Sequence, residues 1–66
     1  MILWTLPTIS SDVVCSIEKQ QTEYRVVVRH GSTTLVDDVL ADVRRARRKA
    51  DIIRRELLEI GCITTA

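Results

Sequence analysis

The chemistry open to this chain is bounded by three side chains, Cys15, His30 and Cys62, and by one run, RRARRKADIIRR, from Arg44 to Arg55. His30 is the only histidine and stands at the end of a strand pattern, before Gly31. A general base needs a nucleophile or a second acid beside it, and the sequence offers no arrangement that supplies one. His30 therefore reads as a turn histidine bonded to nearby backbone. Cys15 alternates with Val13 and Ile17 and reads as a small core residue. The two thiols and the imidazole make at most three soft ligands, without a paired spacing such as CxxC, so no metal, cofactor or catalytic residue is expected. A Cys15–Cys62 bridge would require export and a suitable geometry. Ser10-Ser11-Asp12 is turn chemistry.

The basic run carries seven cations against one acid, while residues 1–43 carry three against six and residues 56–66 carry two acids only. A formal charge of +1 thus hides a local patch made of Arg44, Arg45, Arg47, Arg48, Lys49, Arg54 and Arg55. Three roles fit these residues. They are the solvated side of an amphipathic helix, with Asp51 pairing to Arg47 or Arg55 and Glu59 to Arg55 at helical spacing. Alternatively, they attract an acidic partner protein. As a further alternative, they neutralise nucleic-acid phosphates. Like charges one turn apart, Arg44 with Arg48 and Arg45 with Lys49, count against the first role. Aromatics limited to Trp4 and Tyr24, and the lack of a zinc-finger, helix-turn-helix or glycine-rich phosphate motif, count against the last.

The elements that must hold this patch can be read from periodicity. Asp12 to Lys19 alternates, with Val13, Cys15 and Ile17 on one face, and Tyr24 to His30 repeats the pattern with Tyr24, Val26 and Val28. The two predict an antiparallel hairpin with its turn near Gln20-Gln21-Thr22. Ile2, Trp4 and Leu6 alternate like a third strand, which Pro7 would limit to a sheet edge or bend before Ile9, and the segment could pair within the subunit or reach across to a second one. Thr33 or Thr34 can cap a helix whose first turn carries Asp37 and Asp38, and Gly61 is a left-handed stop, with Ile63 folding back on Leu57 or Leu58. Between them Val36, Val39, Val43, Ala46, Ala50, Ile53, Leu57 and Ile60 recur at spacings of three and four, a seam of four heptads whose thin centre at Ala46 and Ala50 suits close packing on the hairpin.

The expected fold is therefore α+β: an antiparallel β-hairpin, with the N-terminal segment either a third edge strand or an arm, packed on one long C-terminal α-helix in ββα order. It forms a single domain with an arm or edge strand over 1–11, hairpin over 12–31, helix over 33–61 and tail over 62–66. A helix of about 27 residues would run roughly 40 Å, against some 26 Å for eight-residue strands, so its ends would overhang. Leu35, Val36, Leu40, Leu57, Leu58 and Ile60 would then need cover, and a homodimer supplies it. Apolar content of 45% with 29% charged residues is that of a folded protein. The opening MILWTLPTIS lacks the basic flank of a signal peptide, and no apolar run approaches the length that spans a bilayer. The expectation is a cytoplasmic, non-enzymatic regulatory or inhibitory protein-binding module. It would act as a homodimer, favour an acidic protein partner over nucleic acid, and take no membrane or small-molecule substrate.

Overall fold

Three successive β-branched residues, Val26-Val27-Val28, suit a strand with neighbours on both edges and cover on both faces. In the computed structural model, which describes residues 1–59, this run lies in an inner strand and all three valines are buried. The elements are β1 (Ile2–Leu6), β2 (Val13–Gln20), β3 (Glu23–His30), β4 (Thr33–Leu40) and α1 (Val43–Glu59). The strands form one antiparallel sheet in the order β1-β2-β3-β4, and α1 packs on one face of it. The architecture is α+β, as the periodicities require.

β2 and β3 are the expected hairpin. Gln20 pairs with Glu23, which leaves a two-residue loop, Gln21-Thr22, with Gln21 at φ +56°. The alternation holds: Val13, Cys15, Ile17, Val26 and Val28 are buried together beneath the helix, and Tyr24 packs at their margin. The N-terminal segment is an edge strand paired with β2 of the same chain. A bulge between Ile2 and Trp4 breaks its simple alternation. Trp4 and Leu6 therefore lie opposite the core residues Cys15 and Val13, whereas Ile2 lies opposite Ser16 on the uncovered face.

The long helix over 33–61 is corrected. Residues Thr33–Leu40 form β4, and the helix begins only at Val43. Gly31 takes φ +62° in the two-residue loop Gly31-Ser32, a conformation that reverses the chain and returns it along β3, with His30 opposite Thr33 and Val28 opposite Val36. Spacings of three and four at Val36, Val39 and Val43 imitate a helix, but the backbone of β3 satisfies its second edge only by pairing with this segment. Thr33 and Thr34 are accordingly strand residues. The helix cap is Asp42, whose Oδ1 accepts a hydrogen bond from Arg45 N at 2.8 Å while Ala46 N bonds to Asp42 O at 3.1 Å.

Among the described residues the helix has 17 residues and is about 26 Å long, the reach of the eight-residue strands beneath it, in place of the roughly 40 Å expected of a helix that starts at Thr33. The surviving part of the seam is what anchors the helix: Ala46, Ala50 and Ile53 are buried against the sheet and Leu57 packs beside them. Two alanines, with no side chain beyond Cβ, let the helix axis come close to β3 and β4. Ile60, Gly61, Cys62, Ile63 and the tail over 62–66 lie outside the described residues.

The two hairpin loops make opposite demands on substitution. Gly31 has left-handed φ, and an added Cβ would sit 3.1 Å from Ser11 Oγ. Gly31→Ala should lower stability by about 1–2 kcal/mol. Gln21 occupies left-handed φ with a side chain, so Gln21→Gly should raise stability by a few tenths to about 1 kcal/mol once the extra flexibility of the unfolded chain is deducted. Urea denaturation of the two variants beside the parent protein measures both.

Candidate functional site

The outward surface of α1 inherits its residues from the buried ones. Once Ala46, Ala50 and Ile53 face the sheet, the 3.6-residue repeat directs Arg44, Arg47, Arg48, Arg54 and Arg55 to solvent, and all five are exposed. The other two cations of the run are engaged with β4 and with the cap. Lys49 Nζ lies 3.4 Å from Asp38 Oδ2, tying the helix to β4 across the groove between them. Arg45 Nε lies 3.6 Å from Asp42 Oδ2 at the helix start. Asp51 pairs with Arg55 at 3.6 Å, one of the two partners its spacing allows. Among the described residues, Arg44, Arg47, Arg48 and Arg54 have no carboxylate within ion-pair distance. Sequence alone places all seven cations on one footing, because the acid that engages Lys49 lies on a strand whose apolar spacing imitates a helix.

The apolar residues expected at helix ends are distributed differently. Val36 and Leu40 point from β4 into the margin of the core, and Leu57 joins them from the helix. Leu35 is 44% exposed at a bulge in β4, where it lines a groove with Val36, Ile53, Glu56, Leu57 and Glu59. Leu58 is 43% exposed on the flank of the helix that carries Arg54 and Arg55. Ile52, 47% exposed, was not singled out by the sequence because it lies off the seam. Its neighbours three and four residues away, Arg48, Lys49, Arg55 and Glu56, are all charged, and that apolar residue among charges is the available signal.

The sheet face opposite the helix is electrically self-contained. Arg25 Nε donates to Asp37 Oδ1 at 2.7 Å and its Nη2 reaches Asp37 Oδ2. This hydrogen bond, chiefly, holds the Asp37 carboxyl below the ordinary range. Partial desolvation opposes it, and the charges of Arg25 and Arg29 add to it. Val27 is buried on this face, bordered by Val14, Ser16, Arg25 and Arg29.

His30 is bonded to side-chain hydroxyls rather than backbone: Nε2 lies 3.2 Å from Thr8 Oγ1 and 3.3 Å from Ser10 Oγ. Thr8 Oγ1 also accepts from Ser11 N at 3.1 Å, so the imidazole closes the β1–β2 loop onto the end of β3. Cys15 is fully buried, and desolvation pushes its thiol up to about 11, which keeps it protonated and poorly nucleophilic. Among the described residues no three His, Cys, Asp or Glu side chains are grouped to hold a metal, and no helix is long and apolar enough to cross a membrane. Trp4 and Tyr24 are half-buried against the core. Comparison with known proteins places the chain in no family: no family model, curated protein or solved structure matches it significantly.

The Arg25–Asp37 pair generates a pH dependence whose sign is fixed by the depressed carboxyl. Its contribution is fully present above the unfolded carboxylate value near pH 4 and is lost as pH falls through the lower folded value. The urea midpoint should therefore drop on acidification from about pH 5 to about pH 2, and Asp37→Asn should flatten that part of the profile.

Proposed function

We propose that this protein is a non-catalytic binding module of the cytoplasm, acting as a homodimer and presenting the cationic outward face of α1 to an acidic partner protein that it regulates or inhibits. The observation that carries the reading is the composition of that face: Arg44, Arg47 and Arg54, without acidic partners among the described residues, share a flank with the exposed Leu58. Arginines give long-range attraction and orientation, and an apolar side chain among them gains affinity only from a partner with an apolar surface of its own. A phosphate backbone offers charge but no such contact. The half-buried state of Trp4 and Tyr24 favours the protein partner further, since bases would find no aromatic platform on the helix face. A non-catalytic role is supported by the full burial and high thiol pKa of Cys15.

Selection of displayed peptides against the immobilised protein tests the reading. The enriched peptides should combine several Asp or Glu residues with an aliphatic or aromatic residue. Their affinity should fall about tenfold with Leu58→Ser, the loss of one buried contact, and further with Arg44→Glu/Arg47→Glu. Tight, steeply salt-dependent binding to a random 20-base-pair duplex, unchanged by Leu58→Ser, would instead assign the face to nucleic acid.

A further inference from the structure

Among the described residues β4 is an edge strand, and the helix that lies above it carries a charge pattern that matches its own reverse. Two contacts fix how α1 runs over β4. Lys49 stands at Asp38, and Ile53 and Leu57 share the groove with Val36 and Leu35, so the helix descends as the strand ascends. The flank of the helix above the free edge is the one that includes Lys49, Glu56 and Glu59. Residues seven apart on a helix drift by only about 20°, so Arg45, Ile52 and Glu59 form one line along this flank, with Arg48 and Glu56 beside it. Read from its start, the line is cationic, then apolar at Ile52, then acidic.

We infer that α1 and β4 together form an isologous interface for a second copy of this chain, with the two helices antiparallel and crossing at Ile52. An antiparallel pairing about that residue sets Ile52 against Ile52 of the partner subunit, Arg45 against Glu59 of the partner subunit and Arg48 against Glu56 of the partner subunit. Both of these charged pairs are of opposite sign; Lys49 and Arg55, equally spaced about Ile52, are already engaged by Asp38 and Asp51 of their own chain. The strand obeys the same symmetry axis. Ile52 lies one residue from Ile53, which is level with Val36, and Val36 is at the middle of Thr33–Leu40. A two-fold axis normal to the sheet there brings the two β4 edges side by side and antiparallel, with the ladder between them interrupted at the Leu35 bulge, while keeping Asp37 and Asp38 away from their own copies.

The spacing closes as well. Strands lie about 4.8 Å apart, and a helix seated over β3 and β4 stands about 5 Å from such an axis. The two helices would then be about 10 Å apart, within the usual packing distance. The exposed Leu35 and Ile52 and the groove between them would be covered by the same contact that satisfies the free strand edge. The cationic flank bearing Arg44, Arg47, Arg54 and Leu58 stays outside it. This inference rests on the homodimer proposed above and not on the identity of the acidic partner.

Sedimentation equilibrium of the full chain over about 1–200 µM decides it. The parent protein should dimerise, and Arg48→Glu and Glu56→Arg should each weaken the dimer on the order of tenfold, because each turns two attractive pairs repulsive. Mixed in equal amounts, the two variants should form a heterodimer at least as tight as the parent, since every pair is again opposite in sign; this rescue also shows that both variants are folded. A parent protein that stays monomeric throughout would overturn the inference and the homodimer together. A parent dimer that neither variant weakens, or a mixture that fails to recover, would overturn this interface and leave the homodimer standing.

Discussion

The reversal of the chain at Gly31-Ser32 governs the rest of the molecule. Left-handed φ at Gly31 sends Thr33–Leu40 back along β3, and that single turn does three things at once. It supplies the second neighbour that the valine-rich β3 requires. It places Asp37 and Asp38 on opposite faces of a strand, one toward Arg25 and the other toward Lys49. It also delays the helix until Asp42 can cap it, which leaves its described part, Val43–Glu59, about as long as the strands beneath it. A side chain at Gly31 would meet Ser11 Oγ, so the turn is locked from the neighbouring loop as well as by its own backbone preference.

From that turn follows the division of the basic run. A helix that stands on two alanines has little freedom to rotate, because neither flank offers a comparable smooth strip against the sheet. Fixing Ala46 and Ala50 fixes everything else around the circumference. Lys49 meets Asp38, Arg45 stays with the cap, and the remaining arginines are exposed. Surface ion pairs of this kind contribute little to stability. Their consequence is to leave one helix flank cationic and the other graded from cationic to acidic, a difference that composition alone does not reveal.

Much of the framework was legible in the sequence. Alternation at Val13, Cys15, Ile17, Val26 and Val28 predicts the buried face of the hairpin, and the alternation at Ile2, Trp4 and Leu6 predicts an edge strand or an arm, of which the structure shows the strand, with Ile2 displaced by a bulge. The thin seam at Ala46 and Ala50 predicts close packing on the sheet. The segment Thr33–Leu40 imitates a helix because its apolar residues satisfy both a period of two and spacings of three and four, and because Asp37 and Asp38 resemble the acidic first turn of a helix. The loop Gly31-Ser32, two residues between β-branched runs, was the local signal for a hairpin. In the candidate site, the cations were legible as a group, but the engaged ones could not be separated from the free ones while β4 was missing.

The sequence by itself determined that this chain is α+β, which hydrophobic faces are buried and where the positive charge concentrates, since these depend on side-chain identity and short-range periodicity. Tertiary structure alone decided which period Thr33–Leu40 obeys, where the helix starts, and which acids reach which cations. The physical reason is that each of those outcomes is fixed by contacts across strands or between layers: a free edge of β3 seeking hydrogen bonds, and a carboxylate on β4 brought under a lysine eleven residues further along the chain.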